Sequence, residues 1–171
     1  MRTAIITGAS SGLGMEFARQ VLREFPETEC VWLIARRKDR LEEAAKPLAA
    51  VQTELMPLDL CDPASFAFLE EKLRLEHPNI TVLINCAGLM LLGYPDQQAF
   101  EEWSRMIDVN IKGVLAGTKI VLEDMKARNE GTIINMSSIA GRKTFDNHTV
   151  YCGTKYAVHA ITESMRKEVA G

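Results

Sequence analysis

The sequence predicts an α/β fold: a doubly wound parallel sheet covered by helices on both faces, in three layers. Three observations predict it. Short apolar runs alternate with longer helix-forming stretches along the whole chain, and each return to a parallel neighbouring strand needs such a crossover helix. The runs are continuously apolar, as in Val82-Leu83-Ile84, which marks strands buried on both faces. A glycine-rich turn separates the first run from the first helical stretch. With 171 residues, 47% of them apolar, the chain is long enough for one core, and a single domain over 1–171 is expected.

Taken in order, Thr3 to Thr7 is the first strand and stops at Gly8. Leu13 to Phe25 then reads as a helix with Phe17, Val21 and Leu22 at apolar positions. Cys30 to Ala35 is the second strand, and Arg40 to Ala50, with alternating charge, the second helix. Thr53 to Leu58 follows as a strand. Asp62-Pro63 opens a helix, with aspartate as the cap and proline at the first helical position, where a missing N–H costs nothing. Phe66, Leu69 and Leu73 share its inner face. Ile80 to Ile84 is the fourth strand, Phe100 to Arg128 one long helix, and Gly131 to Met136 the fifth strand. A last helix spans Val150 to Val169, where Val158, Ile161, Met165 and Val169 form a packing stripe. There is no linker, low-complexity segment or self-similar repeat.

A net charge of -3 gives no general attraction to nucleic acid or to an anionic membrane surface. No apolar run approaches the roughly 20 residues that span a bilayer. Cys30, Cys61, Cys86 and Cys152 show no Cys-x-x-Cys spacing, and the chain opens on a strand rather than a leader, so a reduced, cytoplasmic protein is expected. His77, His148 and His159 lack metal-ligand spacing with the cysteines, so no metal is implied. Cys152 reads as packing. A small diffusible ligand fits this composition best.

The turn Thr7-Gly8-Ala9-Ser10-Ser11-Gly12-Leu13-Gly14 stands where amides at a helix N-terminus can bind a pyrophosphate. Its position at the first strand-to-helix junction matches the Rossmann-type arrangement, in which ligands bind at the carboxyl ends of the strands. Cofactor contacts are therefore expected from Gly8, Ser10, Ser11, Gly12, Leu13 and Gly14. The residue ending the second strand separates the two nicotinamide cofactors, because a carboxylate there bonds the ribose hydroxyls while arginine accommodates a 2′-phosphate. Here Ala35 is followed by Arg36 and Arg37, two guanidiniums that can grip phosphate. NADP(H) is favoured, and Asp39 nearby leaves NAD(H) open.

Tyr151 and Lys155, at i and i+4, share one helix face. A cation beside a phenol favours the phenolate, which makes the phenol a usable general acid or base. Ser137-Ser138 ends the fifth strand on the same sheet edge as the glycine turn, and a hydroxyl there can hold a substrate carbonyl.

These residues resemble the shorter, non-extended branch of the short-chain dehydrogenase/reductase family. The glycine turn is similar to its Thr-Gly-x-x-x-Gly-x-Gly, Asn85-Cys86-Ala87-Gly88 to its Asn-Asn-Ala-Gly, and Asn110-Ile111-Lys112-Gly113 to its Asn-x-x-Gly. Ser138, thirteen residues before Tyr151 and followed by Ile139-Ala140-Gly141, is similar to the family's active-site serine, and is preferred over Ser137 on that spacing.

The resemblance implies an NADP(H)-dependent oxidoreductase that interconverts a small-molecule alcohol and a carbonyl. Tyr151 would be the proton donor in reduction, Ser138 would orient the carbonyl, and Lys155 would bind the nicotinamide ribose. Asn110 would hold a water that links Lys155 to solvent. Asp59 and Leu60 would lie near adenine, Asn85 near the adenosine ribose, and Ala87 and Gly88 against the cofactor. Cys86 departs from the motif and reads as a small apolar filler. Leu89 to Pro95 and Arg142 to Thr149 are expected to wall the substrate pocket, with Met90, Leu91 and Leu92 as an apolar rim. A homo-oligomer, dimer or tetramer, is implied, with Tyr156 and His159 facing a partner. Family members continue past the catalytic helix with a sixth and a seventh strand, so a truncated chain with the C-terminal strands missing is expected, its fifth strand left at an edge. Its alternative function is that of a catalytically inactive nucleotide-binding or structural remnant.

Overall fold

The structure, a computed structural model, describes residues 1–76 and 78–169. His77 lies outside the described residues, so its reading stands untouched. Five parallel strands, β1 (Arg2–Thr7), β2 (Cys30–Ala35), β3 (Gln52–Pro57), β4 (Asn79–Asn85) and β5 (Thr132–Asn135), form one sheet in the order β3-β2-β1-β4-β5. The helices are α1 (Gly12–Glu24), α2 (Lys38–Ala45), α3 (Pro63–Glu76), α4 (Phe100–Ile107), α5 (Gly113–Arg128) and α6 (Thr149–Val169).

Successive side chains of a strand point to opposite faces, so a continuously apolar strand feeds two cores. Ala4 and Ile6 of β1, Val31 and Leu33 of β2, and Val82 and Ile84 of β4 meet Ala18 and Val21 of α1 and Leu41 and Ala44 of α2. On the other face Ile5, Trp32, Ile34 and Leu83 meet Leu69 and Leu73 of α3 and Val121 and Met125 of α5. Ile5, Ile6, Leu33 and Leu83 are fully buried, and each such side chain contributes about 1.5–3 kcal/mol. The three expected layers follow from this alternation.

Helix α3 starts as its sequence dictates, with the Asp62 carboxylate accepting the Ser65 N–H at 2.8 Å. Two elements differ from expectation. The second helix ends at Ala45 and passes into a 3-10 turn over Lys46–Leu48, because Pro47 lacks an N–H and its ring clashes with an α-helical carbonyl. The long helix expected over Phe100 to Arg128 is split into α4 and α5 by a π turn over Asp108–Lys112.

The strand order reverses across β1: β2 and β3 lie on one side, β4 and β5 on the other. A cleft opens at such a switch point, beyond the carboxyl ends of β1 and β4. β5 is an edge of the sheet, as expected, and an apolar cavity of about 380 Å³ adjoins it between α5 and α6. Val158 is fully buried, while Met165 and Val169 of the same stripe line that cavity. Among the described residues no helix is long and apolar enough to cross a membrane.

Candidate active site

A cleft of about 780 Å³ runs over the carboxyl ends of β1, β2, β3, β4 and β5. The glycine turn forms its floor, and two glycines there are required by space. A β-carbon on Gly14 would stand 2.2 Å from the Gly8 carbonyl oxygen, and one on Gly8, whose φ is +68°, would stand 2.6 Å from the Ala87 backbone. Close approach therefore fixes both positions. Gly12 differs: its φ of +52° asks for glycine, but nothing lies within 4 Å of the added carbon. The buried Thr7 hydroxyl accepts the N–H groups of Cys86 and Ala87, each at 3.2 Å, and so joins the ends of β1 and β4 beneath the turn. Ser10, Ser11 and Leu13 line the cleft, with Leu13 61% exposed.

Arg36 and Arg37 line the same cleft beyond β2. The Arg37 guanidinium donates to the Ser10 hydroxyl at 3.3 Å, so the cationic segment and the glycine turn meet. Past β3, Asp59 and Leu60 face the cleft. The Asp59 carboxylate accepts the Cys61 N–H at 3.0 Å, and the Cys61 thiol donates to the Asp108 carbonyl at 3.1 Å. Burial, with the Asp59 and Asp108 carboxylates nearby, pushes that thiol up to about 11. It is a poor nucleophile at neutral pH.

Tyr151, Lys155 and Ser138 converge on the other end of the cleft. Lys155 is 4% exposed, donates to the Met136 carbonyl at 2.8 Å, and holds its ammonium 5.9 Å from the centroid of the Tyr151 ring. Burial lowers its pKa, and Cys86 partly opposes that shift. Ser138 caps the 3-10 turn Ile139–Gly141, its hydroxyl oxygen accepting the Ala140 N–H at 3.1 Å, which leaves the hydroxyl hydrogen to be donated into the cleft. The Ser137 hydroxyl is instead spent on the Lys155 carbonyl at 3.0 Å. That bond separates the two serines on physical grounds. A β-carbon on Gly141 would fall 2.6 Å from both Lys155 O and Ser137 Oγ, so glycine is needed for the turn to reach α6.

Two expected site residues stand behind the cleft rather than in it. Asn85 is 2% exposed and its amide donates to Asn135 Oδ1 at 2.9 Å, and to Val114 O and Thr118 Oγ1, each at 3.4 Å. It ties β4 to β5 and α5, and the next residues, Cys86, Ala87 and Gly88, line the cleft. Asn110 is fully buried, and its carboxamide grips both backbone groups of Leu89, at 2.7 and 2.8 Å, and the Thr154 hydroxyl at 3.0 Å. These bonds make its side chain a clamp, in which Oδ1 spends one of its two lone pairs on the Leu89 N–H and Nδ2 spends both hydrogens. The π turn adds the residue that swings Asn110 inward, a usual place for such bulges.

Sequence reasoning missed Thr154, which is 2% exposed and donates to the Tyr151 carbonyl at 2.7 Å while accepting from Asn110. Its position directly before Lys155 was the only signal. Arg105, near the end of α4, and Asp108 and Val109 of the π turn also line the cleft and were missed, the last two because a π turn leaves no mark in helical periodicity. Cys86 faces the cleft and its thiol is pushed up by burial. Cys152 is buried, as its packing role requires.

The short chain dehydrogenase family model matches residues 2–171. An uncharacterised oxidoreductase of Staphylococcus saprophyticus is 41% identical over 169 residues, which cover 99% of this chain and 68% of that protein. A short-chain dehydrogenase from Sphingobium yanoikuyae in complex with NADPH matches with a TM-score of 0.89 at 31% identity, over 99% of this chain and 66% of its own. The bulky-bulky ketone specific alcohol dehydrogenase from Comamonas testosteroni gives 0.88 at 28% identity, over 99% and 68%. This chain thus spans about two thirds of the length of these relatives. Five motifs in order, a sheet of this strand order and a match along nearly the whole chain leave one conclusion: the protein belongs to the short-chain dehydrogenase/reductase family of oxidoreductases, built on an NAD(P)(H)-binding Rossmann fold.

Proposed function

We propose that this chain, as a single domain, is a cytoplasmic NADPH-dependent reductase that converts a small carbonyl compound to an alcohol, and runs the reverse reaction with NADP+. The observation that carries this reading is the convergence of Ser138, Tyr151 and Lys155 on the cleft that also holds the glycine turn and Arg36–Arg37. The residues fit the cofactor: Gly8, Ser10, Ser11, Leu13 and Gly14 line the floor of the cleft, and Arg37 with Ser10 offers donors to a 2′-phosphate. Gly8, Ser10, Ser11, Gly12, Leu13 and Gly14 would hold the pyrophosphate, Asp59 and Leu60 the adenine, and Ala87 and Gly88 the adenosine side. When bound, the nicotinamide supplies hydride.

The chain's own part is proton handling and positioning. Ser138 donates a hydrogen bond to the substrate oxygen and orients the carbonyl. Tyr151 gives its phenolic proton to that oxygen as negative charge develops there. The Lys155 ammonium stabilises the charge that appears on the Tyr151 oxygen and donates to the nicotinamide ribose. Asn110 holds Leu89 and Thr154, and through Thr154 the first turn of α6, in register with the substrate wall. A homo-oligomer belongs to the same proposal, with the exposed Tyr156 and His159 of α6 toward a partner.

NADPH oxidation with a panel of aldehydes and ketones tests the reading. Turnover that persists undiminished in Tyr151→Phe would sink the mechanism. Arg36→Asp with Arg37→Ala should weaken NADPH binding far more than NADH binding, and equal weakening would overturn the cofactor preference. NADPH that binds while no carbonyl in the panel is reduced would overturn the reductase reading.

A further inference from the structure

Residues 86 to 94 follow β4 without regular secondary structure, yet their backbone is held at alternate positions. Asn110 binds the N–H and the carbonyl of Leu89, at 2.7 and 2.8 Å. Gln98 donates from Nε2 to the Leu91 carbonyl at 2.9 Å. Gly93 donates its N–H to the Asn147 carbonyl at 3.0 Å. Exposure alternates in the same rhythm: Leu89, Leu91 and Gly93 are half-buried, whereas Met90 and Leu92 are each 52% exposed. An extended ribbon pinned through every second residue sends the intervening side chains to one side. Met90 lines the cleft with Ser138 and Tyr151.

Gln98 is the residue on which this geometry turns. Trp103 Nε1 can only donate, and it donates to Gln98 Oε1 at 3.0 Å, which fixes the amide so that its NH2 faces Leu91. The stem of the same side chain covers Gly93, where a β-carbon would stand 2.8 Å from Gln98 Cγ. Gly93 in turn reaches Asn147, which adopts a left-handed backbone at φ +62°. The next residue, His148, packs its ring edge-on to Tyr151, with centroids 6.2 Å apart. One side chain thus joins α4, the ribbon and the loop that enters the catalytic helix.

We propose that Gln98 is a positioning residue for substrate, holding the 89–93 ribbon so that Met90 and Leu92 form an apolar shelf beside Tyr151, and that this shelf selects carbonyl compounds with a hydrocarbon arm. The proposal rests on the carbonyl-reductase reading of the cleft. Three variants test it on the full chain. Gln98→Glu keeps an acceptor for Trp103 but loses the donor to Leu91. Gln98→Leu loses both bonds. Gly93→Ala leaves Gln98 intact and displaces it from the other side.

Two measurements decide the outcome. Amide hydrogen exchange, read on peptides covering Leu89 to Gly93, should speed up by about two- to tenfold in all three variants, the worth of one hydrogen bond. Methyl ketones of increasing alkyl length, assayed with NADPH, should show kcat/KM rising by about fourfold per added methylene in the native chain, the worth of one buried CH2. In the variants that rise should flatten through KM, while acetone and the NADPH Kd change by less than about twofold. Unchanged exchange overturns the pinning. Faster exchange with an unaltered chain-length dependence, or an equal loss for short and long ketones, overturns the selection. A native chain that reduces no ketone overturns the reductase reading, and the exchange measurement still decides the positioning.

Discussion

Tyr151, Thr154 and Lys155 lie within five residues of α6, the first two joined by one bond and the third held by the Met136 carbonyl. Thr154 uses its hydroxyl twice, donating to the Tyr151 carbonyl and accepting from Asn110. Thr154→Val keeps the shape and strands a buried Asn110 hydrogen, so a loss of about 1–3 kcal/mol is expected in chemical denaturation, largely restored by Thr154→Ser. Lys155 carries the opposite kind of cost. Burial places its pKa below the usual lysine value of 10.5, so between the two values the folded chain binds fewer protons than the unfolded one. Stability from this group therefore rises with pH across that window, and its burial penalty is carried in full below the folded pKa. Lys155→Met should remove this alkaline rise in the denaturation midpoint while lowering kcat by about two to four orders of magnitude, the usual worth of a general acid–base assembly. A variant that kept both its pH slope and its activity would show that the ammonium does neither job.

At the scale of elements, the return of α5 across the sheet determines what β4 can carry. Gly117 on α5 faces Asn85, and an added β-carbon would lie 2.3 Å from Asn85 Oδ1. Alanine in an exposed helix interior is worth about 1 kcal/mol over glycine. Here the sign should reverse: Gly117→Ala displaces a buried carboxamide bonded to Asn135, Thr118 and Val114, and a loss of about 1–3 kcal/mol is expected. A stabilised Gly117→Ala, measured by thermal denaturation, would contradict the tight approach of α5 to β4. The π turn before α5 follows the same logic. Its extra residue sets Asn110 against Leu89 and Thr154, so the turn, the ribbon after β4 and α6 share one side chain.

For the molecule as a whole, the cofactor is expected to act as a ligand of the folded state alone. At about one hundred times its Kd, NADPH should add about 2.7 kcal/mol, or about 5–10 °C in melting temperature for a chain of this size. The Arg36→Asp, Arg37→Ala variant should lose most of that shift with NADPH and little of it with NADH. The same scale separates what could be read in the chain from what could not. Apolar runs, the spacing of glycines, a tyrosine and a lysine four apart and two arginines after β2 are local patterns, so the sequence by itself determined the layers, the glycine turn and the pairing of Tyr151 with Lys155 on one helix face. Other features depend on which distant element arrives beside a residue. Asn85 is a tie to α5 because Gly117 and Thr118 come back over it. Asn110 is a clamp because a π turn aims it at Leu89. Thr154 and Gln98 matter through bonds to segments 44 and 7 residues away. Tertiary structure alone decided these, since a polar side chain's role is set by the partner that satisfies it, and that partner is chosen by the packing of the sheet and helices.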